Sequence, residues 1–148
     1  MKSIRILLIT SLVPLIFPAG VYAATATQGH GDHNEHAAQL TKAQIKFLAN
    51  YEGIRAALAA DDLDAAKRSA ANITNSQPAT QMTKAASLNA ARVAFKKLSA
   101  DAIQLVKGQD GYHIANCPMA GSDWVQTTKR ISNPYFGWEM ATCGSIKN

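Results

Sequence analysis

Leu88, Ala91, Phe95, Leu98, Ala102 and Leu105 recur at alternating spacings of three and four over more than two heptads. No other feature of the chain constrains its fold as strongly. A strand would scatter these residues over two faces, whereas a helix gathers them into one seam that needs a partner. Two further stripes can supply it. Phe47, Tyr51, Ile54 and Leu58 stand at offsets 0, 4, 7 and 11, and Leu63, Ala66, Ala70 and Ile73 follow at helical spacing. The stripes are rich in alanine, so the helices can approach closely.

Local signals divide these helices. Thr41-Lys42-Ala43-Gln44 reads as a capping box, with Leu40 and Ile45 at the staple positions. Asp61 suits the N-cap of a second helix, with Asp62 and Asp64 at its positive end. Asn75-Ser76-Gln77-Pro78 breaks the pattern, a third short piece starts near Ala79, and Gly108 stops the long seam. The expected fold class is mainly α: a small antiparallel bundle of three to four helices. From Tyr112 the composition changes. After a short β-like run at Tyr112-His113-Ile114, residues 112–148 read as an irregular, aromatic-rich cap. Trp124, Tyr135, Phe136 and Trp138 are expected to pack it onto the bundle.

The start of the chain carries an export signal. Lys2 and Arg5 precede an apolar run from Ile6 to Phe17, and Val21-Tyr22-Ala23 has the small-x-small cleavage pattern. Residues 1–23 are therefore expected to be a signal peptide, leaving a mature chain that starts at Ala24 and has no transmembrane segment. The mature protein is expected to be soluble outside the cytoplasm, where disulfides form. Loss of Lys2 and Arg5 lowers the formal charge from +5 to +3. With no basic cluster, nucleic acid is not an expected partner. Residues 24–39 read as a polar linker before a helical domain at 40–148. Within the linker, His30, His33 and His36 stand near Asp32 and Glu35. Such a tract serves either as an auxiliary capture segment for a divalent ion or as plain linker.

Both cysteines fall in the cap, each beside a methionine: Cys117-Pro118-Met119 and Met140-Ala141-Thr142-Cys143. Thiolate and thioether are soft donors that select Cu(I) or Ag(I) over hard ions. Cys117, Met119, Met140 and Cys143, with His113 as a further ligand, form the candidate metal site. The same cysteines admit a Cys117–Cys143 disulfide. It would close a loop of about 25 residues, for about 3 kcal/mol in the chain-entropy model. Packing against the tryptophans would account for the methionines in that case. Catalysis has no complete cast: there is no Cys-x-x-Cys, and a pair of Cys117 with His113 has no orienting acid. The chain is not expected to be an enzyme.

Several stretches together resemble a family of exported bacterial domains of unknown function. They are Cys117-Pro118-Met119-Ala120, Trp124-Val125-Gln126, Ile131, Asn133-Pro134-Tyr135-Phe136-Gly137, Met140 and Cys143-Gly144. Upstream, Arg92, Phe95, Leu98 and Ser99 fit the pattern, as do Leu58, Asp61 and Ala65 in the first hairpin. Members occur alone or attached to periplasmic adaptor subunits of copper/silver efflux pumps. The resemblance implies a periplasmic location, a role in heavy-metal efflux or resistance and an adaptor or other envelope protein as partner; it brings no catalytic activity. The third helix, between Pro78 and Ala86, is shorter here than the family's. The combined reading is a periplasmic domain that binds Cu(I) or Ag(I); the alternative is a disulfide-stapled interaction module of the cell envelope with no metal role.

Overall fold

The Thr41 hydroxyl opens the first helix as its capping box requires. It accepts from the Gln44 N–H at 3.3 Å, while Gln44 Oε1 accepts from the Thr41 N–H at 2.8 Å. The computed structural model describes residues 39–147. The expected leader, the cleavage point before Ala24 and the tract with His30, His33 and His36 lie outside the described residues.

Helix α1 runs Lys42–Ala59, α2 Leu63–Ala71, α3 Gln77–Thr83 and α4 Leu88–Leu105. Side-chain oxygens of Asp62, Ser76 and Ser87 cap the last three by accepting from the N–H three residues on. The helices pack in sequence, and α4 closes back on α1. Their stripes form the core: Tyr51, Ile54, Leu58, Ala66, Ala70, Phe95, Leu98 and Ala102 are almost wholly buried. The third helix starts at Gln77, with Pro78 in its first turn, where a missing N–H costs nothing.

The molecule is helix-dominated, yet residues 112–147 are not the irregular cap expected from the sequence. Strands β1 (His113–Cys117), β2 (Ser122–Gln126) and β3 (Ser145–Ile146) form an antiparallel sheet in the order β2-β1-β3. The β1–β2 register pairs Ile114 with Val125, Ala115 with Trp124 and Cys117 with Ser122. Helix α4 packs on β2. The alternation is short and its polar members are paired, which hides the strands from a hydropathy reading. Asn116 donates to Asp123 at 2.6 Å across the two strands, and Lys147 forms an ion pair with Asp123 at 2.7 Å. Trp138 also departs from expectation. It is 75 % exposed and does not contribute to the core. No helix among the described residues is long and apolar enough to cross a membrane.

Candidate functional site

Folding brings together two cysteines that lie 26 positions apart: Cys117 Sγ and Cys143 Sγ are 2.9 Å from one another. Both are free thiols, beyond the bonded distance of about 2.05 Å. Cys117 ends β1 and is wholly buried, whereas Cys143, before β3, is partly exposed. The connection between β1 and β2 is a tight turn in which the Gly121 N–H donates to Pro118 O at 3.1 Å. This turn aims the Met119 and Ala120 N–H groups at the Cys117 sulfur. Burial works to raise the Cys117 thiol, but hydrogen bonds from Cys143, these two N–H groups and the Asn133 amide outweigh it. They hold Cys117 below the ordinary thiol value. Cys143 shifts the other way, chiefly through its hydrogen bond with Cys117 and also through burial. The surroundings thus favour ionisation of the inner sulfur over the outer one.

Asn133 clamps the outer half of the site. It is fully buried, and its Nδ2 donates to Cys143 O at 2.8 Å while its Oδ1 accepts from the Tyr135 N–H at 2.8 Å. Its own N–H donates to Ala141 O at 2.9 Å. Gly144 lets the chain leave Cys143 toward β3. Its φ is +132°, and a Cβ there would lie 2.7 Å from Asn116 O and 2.9 Å from the Trp124 ring. Trp124 is fully buried and donates through Nε1 to Gln126 Oε1 at 2.9 Å. Gln126 Nε2 in turn donates to Thr128 O and Arg130 O at 2.6 and 2.9 Å. The Trp-Val-Gln motif is thus a strand end that shapes the following loop.

An arginine and an aspartate tie this assembly to the helices, and sequence reasoning missed their pairing. Asp61 does not cap α2, because Asp62 does. Asp61 has φ +58°, which swings its carboxylate away from that helix. It accepts from Arg92 Nη2 and from the Trp138 N–H, the latter at 3.0 Å. Arg92 also donates to Leu58 O at 3.2 Å and Pro134 O at 3.0 Å. The Trp138 N–H is the main influence holding the Asp61 carboxyl below the usual carboxylate value; partial burial opposes it and Arg92 assists. Arg55 makes a parallel tie, donating to Ser132 O at 2.9 Å. Tyr51 adds another: its hydroxyl lies 2.9 Å from Ser99 Oγ and accepts from the Val125 N–H at 3.1 Å. Tyr135 donates to Asp123 O at 2.9 Å. Burial pushes Tyr135 up to about 12 and Tyr51 in the same direction, so both stay neutral.

Of the expected ligands, the structure joins the two cysteines. Met119 sits in the turn that starts at Cys117 and is 68 % exposed, so it is not held by packing against the tryptophans. Met140, half-buried, accepts through its carbonyl from the Cys143 N–H at 3.0 Å. Each cysteine thus shares a turn with one methionine. His113 does not join them. It stands at the opposite end of β1, about 13 Å along the strand at 3.3 Å per residue. Among the described residues, no group of three or more His, Cys, Asp or Glu side chains could hold a metal ion. No family model, curated protein or solved structure matches the chain.

Proposed function

We propose that this chain is an exported, periplasmic domain that holds Cu(I) or Ag(I) on Cys117 and Cys143, with Met119 and Met140 as supplementary soft donors. The observation that carries the reading is the meeting of the two distant cysteines in turns that also hold Met119 and Met140. Soft sulfur donors in low number suit a monovalent ion of this kind. The N–H groups around Cys117 support it, because the thiolate is the form that ligates metal. With metal–sulfur bonds of about 2.3 Å, as for zinc, two sulfurs on one ion stand about 3.8 to 4.6 Å apart. From 2.9 Å the pair would open by about 0.9 to 1.7 Å, with Cys143 the more accessible partner. His113, at the opposite end of β1 from Cys117, is not part of the set. The resemblance to domains attached to copper/silver efflux adaptors supports a role in heavy-metal efflux or resistance. It also supports such an adaptor, or another envelope protein, as partner.

Anaerobic titration of the reduced full chain with Cu(I), against a competing chelator, tests this reading. It is expected to give one tightly held ion per chain, lost in Cys117→Ser and in Cys143→Ser. No uptake by the reduced, folded protein would overturn it.

A second reading has its own support. The 2.9 Å separation is nearer to a disulfide than to two sulfurs around an ion. Trp138 is exposed while its N–H and Nε1 are both engaged, the latter to Ala60 O at 3.2 Å. A fixed, exposed indole suits a protein interface. In this reading the domain is a stapled interaction module of the envelope. Protein recovered after export would then carry no free thiol and would bind no Cu(I) even after reduction.

A further inference from the structure

The two sulfurs are close together but unequally reachable. Cys117 is wholly buried at the end of a paired strand, and Cys143 is partly exposed beside the exposed Thr142. A disulfide-bearing molecule in solvent can therefore reach Cys143 and not Cys117. Once Cys143 is engaged, Cys117 is the sulfur next to it, at 2.9 Å. A shift of about 0.9 Å would bring the two to bonding distance. We infer that Cys143 and Cys117 form an ordered thiol–disulfide exchange site, in which Cys143 accepts an external disulfide and Cys117 resolves it.

The steps balance without a further reagent. Cys143 gives its proton to solvent and, in its less populated thiolate form, attacks one sulfur of a disulfide R–S–S–R. That S–S bond breaks, one R–S⁻ leaves, and Cys143 carries the mixed disulfide. Cys117, as thiolate, then attacks Cys143 Sγ and breaks the mixed bond; the second R–S⁻ leaves. The two protein thiols give up two electrons and two protons; the external disulfide is the acceptor, its two R–S⁻ groups regain protons from solvent, and it departs as two thiols. The reaction is stoichiometric and ends in the Cys117–Cys143 bond. Reduction runs the same path backward, with an external thiolate attacking Cys143 and Cys117 leaving. The backbone supports this order, because β1 fixes Cys117 while Cys143 lies between a helical turn and the two-residue β3.

Exchange stands on burial and distance alone. Only its consequence rests on the proposed metal function: the closed bond withdraws both thiols from a bound ion. The test treats reduced, metal-free full chain with oxidised glutathione, quenches at short times and maps adducts by peptide mass. The wild-type protein is expected to show a transient adduct on Cys143, followed by the internal disulfide. Cys117→Ala is expected to accumulate the Cys143 adduct with at least a tenfold longer lifetime. In Cys143→Ala, modification of Cys117 should be at least tenfold slower than the first wild-type step. A first wild-type adduct on Cys117 would overturn the order without reliance on any variant. So would wild-type rates in Cys143→Ala, or an unchanged adduct lifetime in Cys117→Ala. A parallel sample with one equivalent of Ag(I) separates the two claims. At least tenfold slower exchange supports the shared site. An unchanged rate beside ordered exchange in the metal-free protein would overturn the metal reading and leave the exchange standing.

Discussion

The helical half, 42–105, and the sheet-bearing half, 113–147, are held by different forces. In the first, apolar stripes meet, and the capping side chains act within three residues of themselves. In the second, buried polar side chains hold backbone carbonyls, some nearby and some far along the chain. Gln126 organises the loop after β2, Asn133 holds Cys143, and Arg55 and Arg92 reach from the helices to Ser132 and Pro134. Burial of apolar area is non-directional and tolerates small shifts. Hydrogen bonds to buried backbone are directional, and a missing partner leaves a desolvated group behind. The helices therefore supply stability, while the polar ties fix the positions of atoms. A sulfur pair needs the second kind of support.

Substitutions can break this comparison, the largest effect first. Trp124→Ala should cost about 3–5 kcal/mol, as other buried aromatic truncations do. It empties the space where the sheet meets the helices and leaves Gln126 Oε1 with only the longer bond from the Ser132 N–H. Urea unfolding measures it. A cost below about 1 kcal/mol, typical of surface sites, would mean that the sheet is not part of the cooperative core.

Asn133→Ala removes little apolar area, so a purely hydrophobic account expects a small effect. The polar account expects about 2–3 kcal/mol, because Cys143 O and the Tyr135 N–H lose their partner. It also expects the exchange order at the cysteines to loosen, which adduct mapping would detect. Arg92→Ala should cost about 2 kcal/mol, less than a fully buried pair, since the Asp61 side chain is one-third exposed. Fluorescence should then report a more mobile Trp138.

Acid gives a milder probe of the same tie. The Asp61 carboxyl is held below its unfolded value, so its contribution is complete above the ordinary carboxylate pKa of about 3.9. That contribution is lost as pH falls through the lower folded value. Asp123 is shifted in the same direction: its partial burial opposes the shift, but Lys147 and Asn116 outweigh it. Unfolding midpoints should fall between pH 5 and pH 2, and the fall should be shallower in Asp61→Asn. Equal slopes would remove Asp61 from the account.

This division also explains what was legible in the sequence. Stripes such as Phe47 to Leu58 and Leu88 to Leu105 can be read because periodicity is a property of residue type and spacing. The Thr41 box and Gly108 could be read for similar local reasons. Asp61 and Asp62 are equally good caps on paper, but Asp61 has a positive φ and its carboxylate bonds Arg92 and Trp138, far along the chain. Indole is large and apolar, which points Trp138 to the core, yet it is exposed and donates two hydrogen bonds, to Asp61 and to Ala60 O. The strands were hidden because Asn116 and Asp123 satisfy each other. The two cysteines were readable as a pair, while the distance of His113 from them depends on the extended strand between.

The central claim is that the sulfur pair and its neighbouring methionines take up a soft monovalent ion. Its most direct measurement is the Cu(I) affinity of the reduced full chain with Met119 and Met140 both replaced by leucine. Met119 is exposed, and volume-conserving swaps cost under about 1.5 kcal/mol each, so the fold should survive. The account predicts binding at least tenfold weaker than wild type, a loss of about 1.4 kcal/mol. Unchanged affinity in the folded, reduced double variant would contradict it.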